Sequence, residues 1–187
     1  TVFWIVGVAN AMNLIDGLDG LAAGVASISS LSLFFVSLIW GRWEVAMVTA
    51  ALAGASLGFL PHNFNPAKIF MGEVGAAFLG FTLAVISIPG TVKSYTAIAI
   101  AIPLLVLGLP IFDTLFAIIR RILNKKPIMQ ADKGHLHHRL IDMGLSQKQS
   151  VVIIYILSAV LGLCAIVLAD RGALSAIILV ISVSIFV

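Results

Sequence analysis

The chain has 187 residues, of which 61% are hydrophobic and 10% charged, and its mean hydropathy is +1.16. A soluble globular domain carries about 25% charged residues, so this composition excludes one and predicts an integral membrane protein. The net charge of +3 comes largely from residues 120–150 and favours anionic lipid head groups or a phosphorylated ligand. Nucleic acid is a poor candidate partner without an attached soluble domain.

The first residues, 1–9, form an apolar run that as a helix would reach only ~13 Å, against the ~30 Å of a bilayer core. No basic segment precedes this run and no small-residue cleavage site follows it, so it is a poor signal peptide. The last residues, 182–187, also lie within an apolar run. We therefore expect 1–187 to be a fragment of a single integral membrane domain that lacks its N-terminal spans.

A polar cluster at 10–20 interrupts the apolar sequence. Asn10, Asn13 and Asp16 recur every three residues, so one helical face would carry them toward a common point. Asp19 continues that face. Carboxylates among membrane spans are costly unless a cation, hydrogen bonds or water compensate them, and a divalent metal is the obvious partner here. The alternative is an ordinary Asn/Asp/Gly turn between two spans.

Further apolar stretches predict membrane-spanning helices. They lie roughly at 21–40, 45–60, 74–88, 97–119, 151–168 and 173–187. Because none shows sustained period-two alternation, helices are favoured over a β-barrel. The predicted fold is an all-α polytopic transmembrane helix bundle, with about six spans and a truncated first one.

Charge predicts which side of the membrane each loop occupies. Threading the spans back and forth puts loops 10–20, 61–73 and 120–150 on one side. That side holds most of the Lys and Arg residues, so it is predicted to face the cytoplasm. All four histidines lie there too, and the polar clusters can converge on one site.

The second polar cluster lies at 62–75 and contains Asn63, Lys68 and Glu73. Glu73 stands just before a span, where it would either stabilise a helix N-terminus or bind Mg²⁺ together with phosphate groups. Lys68 would either bind a phosphate as a point charge or serve as an ordinary membrane anchor.

Asp113 is predicted to lie inside the helix at 97–119, next to Thr114. Pro103 and Pro110 can kink that helix and free backbone carbonyls. A purely structural alternative is that Asp113 bonds a Thr or Asn across helices.

The third polar cluster combines histidines, cations and an acid: Asp132, Lys133, His135, His137, His138 and Arg139. Zinc is one interpretation, but only the distant His62 is available to complete a ligand set. A cationic pocket for a pyrophosphate fits better, and a plain basic loop is the remaining alternative. Plain membrane-surface charge is what we expect of four nearby cations: Arg120, Arg121, Lys125 and Lys126.

Together the clusters resemble the polyprenyl-phosphate N-acetylhexosamine-1-phosphate transferases. The family's Asn-x-x-Asn-x-x-Asp-Gly-x-Asp-Gly-Leu-Ala loop is found at 10–22, and its Pro-Ala-Lys-Ile-Phe-Met-Gly loop at 66–72. The His-Leu-His-His-Arg-Leu run at 135–140 resembles the branch that uses UDP-N-acetylglucosamine. The branch that transfers phospho-MurNAc-pentapeptide usually has three consecutive histidines instead.

The resemblance implies that a sugar-1-phosphate, most readily GlcNAc-1-phosphate, passes from a UDP-sugar to undecaprenyl phosphate with release of UMP. This would be the first membrane step of a cell-envelope polysaccharide, catalysed with Mg²⁺, or alternatively Mn²⁺, at the cytoplasmic face of the bacterial inner membrane. A homodimer is compatible with such a bundle. The alternatives are a phospho-MurNAc-pentapeptide transferase, a degenerate lipid- or nucleotide-binding paralogue, and a membrane transporter.

The resemblance also implies roles for individual residues. The catalytic set is Asp16, Asp19, His135, His137 and His138. The substrate-binding set is Asn10, Asn13, Asn63, Lys68, Asp113, Lys133 and Arg139. The metal ligands are Asp16 and Glu73.

Two departures from the family pattern affect these expectations. Most relatives have Gly-Asp-x-Gly-Ser where this chain has Gly-Glu-Val-Gly-Ala at 72–76, so Glu73 replaces an Asp and Ala76 a Ser. This predicts an altered metal dependence. The family's adjacent Asp-Asp pair would stand upstream of the sequence given, so we expect the fragment alone to be inactive.

Overall fold

The computed structural model describes residues 1–88, 96–125, 127 and 134–171. These residues form eight helices and no strand, which confirms the predicted helical bundle. The helices are α1 (Val2–Ile15), α2 (Leu21–Ile39), α3 (Trp43–Asn63), α4 (Gly72–Ser87), α5 (Thr96–Val106), α6 (Gly108–Leu123), α7 (Leu136–Asp142) and α8 (Gln147–Arg171). Lys133 and the span predicted at 173–187 lie outside the described residues.

Helices α2, α3 and α8 are each long and apolar enough to cross a membrane. The stretch predicted at 97–119 is two helices, α5 and α6, bent by 81° at Leu107. Pro110 explains the break. It has no N–H to donate to the carbonyl of Val106, four residues earlier, and in a continuous helix its ring would clash with that carbonyl. That carbonyl accepts a hydrogen bond from the Ser29 hydroxyl on α2 at 3.0 Å, so the freed backbone group is satisfied inside the protein.

Helix α2 is the centre of the bundle and packs against α1, α3, α4, α5 and α8. Its small side chains allow close approach, as is usual where helices pack without a hydrophobic driving force. A Cβ atom on Gly24 would overlap the ring of Tyr155 on α8, so this crossing requires glycine. The hydroxyls of Ser27 and Ser30 bond carbonyls of α2 itself, which allows them to be buried.

Helices α1 and α4 run antiparallel. The Trp4 indole donates to the Ser87 hydroxyl at 3.0 Å, and Gly80 lies against the backbone of Ala9. Seven residues before Gly80, at about 1.5 Å per residue, α4 reaches the level at which α1 ends. Its first turn therefore lies at the same end of the bundle as the loop that follows α1.

Candidate active site

Three polar segments meet at one end of the bundle: the acidic loop (16–20), the second loop (64–71) and the histidine segment (134–142). The Asp19 carboxylate of the acidic loop accepts a hydrogen bond from the Ala67 amide of the second loop at 3.1 Å. The ring of His137, in the histidine segment, packs against Gly17 of the acidic loop. Segments that are far apart in sequence are thus adjacent in the structure, as the threading predicts.

Asp16 directly follows the last residue of α1, and it is half-buried. Burial, and after it the negative charge of Asp19, raise the pKa of the Asp16 carboxyl from 3.8 to about 6. Within the part of the chain described, no donor forms a hydrogen bond with this carboxylate. A cation bound here would restore the ionised form that burial disfavours, so Asp16 has the properties expected of a metal ligand.

Asp19 connects loops and does not continue the face of α1. That prediction is wrong because the helix ends at Ile15 and the chain turns before Asp19. The same carboxylate oxygen that binds Ala67 also accepts from the Asn65 amide at 3.0 Å. Asn65 in turn donates to the Gln147 side chain at the start of α8, at 2.8 Å. Asp19 therefore holds the acidic loop against the second loop, and through Asn65 this contact extends to the start of α8.

Asn63 is also used internally. It is 3% exposed, its side-chain oxygen accepts from the Gly20 amide at 3.1 Å, and its nitrogen donates to the Ile69 carbonyl at 3.0 Å. Gly20 has a φ of +81°, a conformation that glycine adopts without strain. The resemblance implied that Asn63 binds substrate; in the structure the oxygen and the nitrogen of its side-chain amide hold the two loops together.

The other residues predicted in the first two clusters differ in exposure. Asn10 is exposed, and its amide donates to the Val6 carbonyl of its own helix at 2.8 Å. Asn13 is partly exposed in the last turn of α1, while Lys68 and Glu73 are exposed. Lys68 and Glu73 are therefore accessible to a soluble ligand.

Asp113 and His135 form a buried pair between α6 and the histidine segment. Asp113 Oδ2 lies 2.8 Å from His135 Nδ1, and the two side chains are 8% and 7% exposed. The other carboxylate oxygen, Oδ1, accepts the amide N–H of Leu136 at 2.7 Å. Both oxygens of Asp113 thus hold the start of α7, and neither partner is the Thr or Asn considered from the sequence.

His137 is the most buried of the histidines, at 1% exposure. Neither ring nitrogen has a hydrogen-bond partner among the described residues. Burial, and then His138, lower the pKa of His137 from 6.5 to about 4, so the ring is neutral at pH 7. It lies parallel to the His135 ring and 4.3 Å from that of His138. A neutral His137 adds no positive charge to the cationic pocket that the sequence favoured, so that charge would have to come from the neighbouring residues.

Arg120 and Arg121 are not plain surface charges, contrary to expectation. Arg120 donates to the Gly134 carbonyl at 2.6 Å, and Arg121, which is 8% exposed, donates to the Pro127 carbonyl at 2.6 Å. A guanidinium suits such backbone contacts because it carries several N–H donors in a fixed plane. The two arginines fix both ends of the connection from α6 to the histidine segment.

An open groove of about 410 Å³ lies between α6, α7 and α8. Its walls are mainly apolar, with Phe112 and Phe116 on one side and Leu157 on the other. Its polar end contains Arg120 and Arg139. Such a surface suits a ligand that joins a long apolar chain to an anionic head group.

The polar residues that the sequence analysis missed lie mostly on α8. Gln147 holds Asn65 of the second loop, and the Tyr155 hydroxyl donates to the Gly20 carbonyl of the acidic loop. Tyr155 is a single polar residue near the start of a long apolar run, and that pattern is the one signal that would have pointed to it. Gln147 lies in the polar stretch 146–150 that precedes the run, where nothing distinguishes it from its neighbours.

No group of three or more His, Cys, Asp and Glu side chains in the described ranges is arranged to hold a metal. The zinc interpretation of His135, His137 and His138 therefore gains no support from these ranges. Mg²⁺ has different needs, because it is commonly held by one or two carboxylates and by substrate phosphates. The half-buried Asp16 and the exposed Glu73, at the same end of the α1–α4 pair, fit that pattern.

Comparison with known proteins adds an independent line of evidence. Residues 1–91 match the family model described as glycosyl transferase family 4. The chain is 46% identical over 168 residues to a probable undecaprenyl-phosphate N-acetylglucosaminyl 1-phosphate transferase of Bacillus subtilis, covering 90% of this chain and 47% of the relative. It is 40% identical over 175 residues to a decaprenyl-phosphate N-acetylglucosaminephosphotransferase of Mycobacterium tuberculosis, covering 83% and 43%.

A phospho-N-acetylmuramoyl-pentapeptide-transferase of Streptococcus mutans is 45% identical, but over only 87 residues, or 46% of this chain and 26% of the relative. The chain spans less than half the length of each of these relatives.

Proposed function

The chain belongs to glycosyl transferase family 4, and on that premise we propose that the protein transfers GlcNAc-1-phosphate from UDP-GlcNAc to undecaprenyl phosphate and releases UMP. The observation that carries this proposal is the extent of the similarity. The match to the N-acetylglucosaminyl 1-phosphate transferase covers 90% of the chain and so reaches the histidine segment, whereas the match to the pentapeptide transferase covers 46%.

The reaction is a phosphoryl transfer between two anions. An oxygen of the lipid phosphate attacks the β-phosphorus of the UDP-sugar, a new P–O bond forms, and the bond from that phosphorus to the bridging oxygen breaks. UMP leaves with the bridging oxygen. The protein must bring two mutually repelling anions together and neutralise the charge that develops, which is mainly positioning and electrostatics.

We assign the divalent metal to Asp16 and Glu73, with Mg²⁺ as the preferred ion and Mn²⁺ as a substitute. Mg²⁺ would neutralise the pyrophosphate and stabilise the leaving phosphate. Asp16 supports this role because its carboxylate is half-buried and has no hydrogen-bond donor in the described residues. Glu73 is exposed at the same end of the bundle.

The donor would be held by the exposed polar groups around this metal. Lys68 is exposed and His138 is partly exposed, both belong to segments that meet at this end of the bundle, and they suit the phosphates. Asn13, in the last turn of α1, is close in sequence to Asp16 and suits the nucleotide. Lys133, which directly precedes the histidine segment in the sequence, completes the cationic set that we propose for the donor.

The lipid acceptor would occupy the groove between α6, α7 and α8. The apolar side chains of Phe112, Phe116 and Leu157 suit a prenyl chain, and Arg139 at the polar end suits its phosphate. This arrangement needs the polar end of the bundle to face the cytoplasm, where UDP-sugars are found, and the Lys and Arg residues of the loops favour that orientation.

The test measures UMP release in bacterial membranes that contain the complete reading frame encoding this chain. UDP-GlcNAc with undecaprenyl phosphate should give UMP only when Mg²⁺ or Mn²⁺ is present, and Asp16→Asn should abolish it. Asp170→Asn, an exposed carboxylate at the end of α8, is the matched control and should keep full activity. Release of UMP from UDP-MurNAc-pentapeptide alone, or no release from folded protein, would contradict the proposal.

A further inference from the structure

We infer that Asp113 is a positioning residue for this transfer and acts through His135. The inference rests on the proposed function and extends it to a residue that touches neither substrate. Its basis is a geometry in which one carboxylate, at the wall of the groove, holds both the ring and the backbone that open the histidine segment.

The contact between Asp113 and His135 determines which nitrogen of the His135 ring carries the proton. An ionised carboxylate only accepts hydrogen bonds, so Nδ1 of His135, at 2.8 Å from Asp113, must carry the proton. Only the other ring nitrogen, Nε2, can then meet a phosphate or a metal-bound ligand. Without Asp113 the ring would be able to adopt either tautomer, and carboxylates that orient a functional histidine in this way are commonly important for activity.

The break between α5 and α6 determines where Asp113 lies in the fold. It lies on α6, which begins at the break whose freed Val106 carbonyl is held by Ser29. The bend at Leu107 therefore sets where Asp113 stands. Through the Leu136 amide, Asp113 fixes the start of α7. That short helix carries His137 against the acidic loop.

The contacts of Asp113 also argue against its predicted role as a substrate-binding residue. A substrate-binding carboxylate needs an oxygen that faces the ligand, and a second anion beside two phosphates would repel them. In the structure each oxygen of Asp113 already has a partner within the protein, and the side chain is 8% exposed. Asp113 contacts the groove as part of its wall, while His135 connects it to the proposed site.

The experiment uses Asp113→Asn, because an asparagine oxygen can still accept the Leu136 amide but cannot also accept from Nδ1. We expect kcat for UMP release to fall about 10- to 100-fold, with little change in KM for UDP-GlcNAc. The same change made in a His135→Ala background should cost no further activity. Asp170→Asn is the matched control in both backgrounds and should have no effect.

An equal loss from Asp113→Asn with and without the His135 ring would overturn the inference, as would full activity of the single variant. If the wild-type protein released no UMP, the proposed function would fail instead. The pair is then still measured by ¹⁵N NMR of the His135 ring in lipid nanodiscs, which also covers a variant that does not fold. A proton on Nδ1 is expected, and a bare Nδ1 would refute the pairing.

Discussion

The imidazole of His137 lies so close to Gly17 that a Cβ atom on that glycine would overlap the ring at Nε2. The contact joins the acidic loop to the histidine segment, which are about 120 residues apart in the chain. It explains why a glycine follows Asp16 without invoking an unusual backbone conformation. The absence of a side chain at Gly17 creates the space that the buried ring fills.

Gly17→Ala should therefore separate the two segments. The added methyl group must displace either the ring or the loop, and overpacking of this kind costs about 1–3 kcal/mol. We expect a lower unfolding temperature and loss of most UMP release. Gly54→Ala, on α3 with nothing within 4 Å of the new methyl group, is the matched control. Equal behaviour of the two variants would show that the contact does not matter.

The burial of His137 predicts how stability depends on pH. Its pKa is about 4 in the folded protein and 6.5 in the unfolded chain, so below pH 6.5 the unfolded state binds a proton that the folded state does not. The stabilisation is complete above pH 6.5 and is lost progressively as the pH falls toward 4. The raised pKa of Asp16 acts in the opposite direction, because there the folded state binds a proton that the unfolded state lacks. The effect of His137 is therefore measured as the difference in unfolding temperature between the wild type and a His137 variant, in detergent from pH 7.5 to 4.5.

His137→Phe keeps a buried ring but removes the titrating group. Relative to that of the wild type, its unfolding temperature should rise as the pH falls over this range, and it should be higher at pH 5, because two buried nitrogens without partners are also removed. His62→Phe, which changes an exposed histidine, is the matched control and should follow the wild-type curve. A wild-type slope retained in His137→Phe would assign the pH dependence to another group.

The sequence predicted the helical bundle and the meeting of the polar loops, because long apolar runs and cation-rich connections determine both. It did not predict how the polar residues are shared between ligand and scaffold. Asp19 and Asn63 lie within the motif loops but are bonded inside the protein. Their long-range partners, Ala67 for Asp19 and Gly20 for Asn63, lie 48 and 43 residues away in the sequence, and hydrogen bonds across such distances leave no periodic signal.

Glu73 tests the assignment of the metal. Since a glutamate reaches about one methylene further than the aspartate usual in the family, we expect Glu73→Asp to lower the Mg²⁺ concentration that gives half-maximal UMP release. Glu44→Asp, an exposed acid in the first turn of α3, is the matched control and should leave that concentration unchanged. An unchanged Mg²⁺ dependence and rate in Glu73→Asp would remove Glu73 from the metal site.

Arg139 tests the lipid groove separately from the donor site. It is exposed and stands at the polar end of the groove, so Arg139→Gln should weaken the contact with the lipid phosphate. A charge-assisted hydrogen bond contributes about 1.5–3 kcal/mol, and we expect KM for undecaprenyl phosphate to rise about 10-fold or more. KM for UDP-GlcNAc should stay near the wild-type value. The matched control is Arg171→Gln, at the exposed end of α8, which should change neither constant. If KM for the donor rose and that for the lipid did not, Arg139 would belong to the donor pocket and would no longer support the groove as the site of the acceptor.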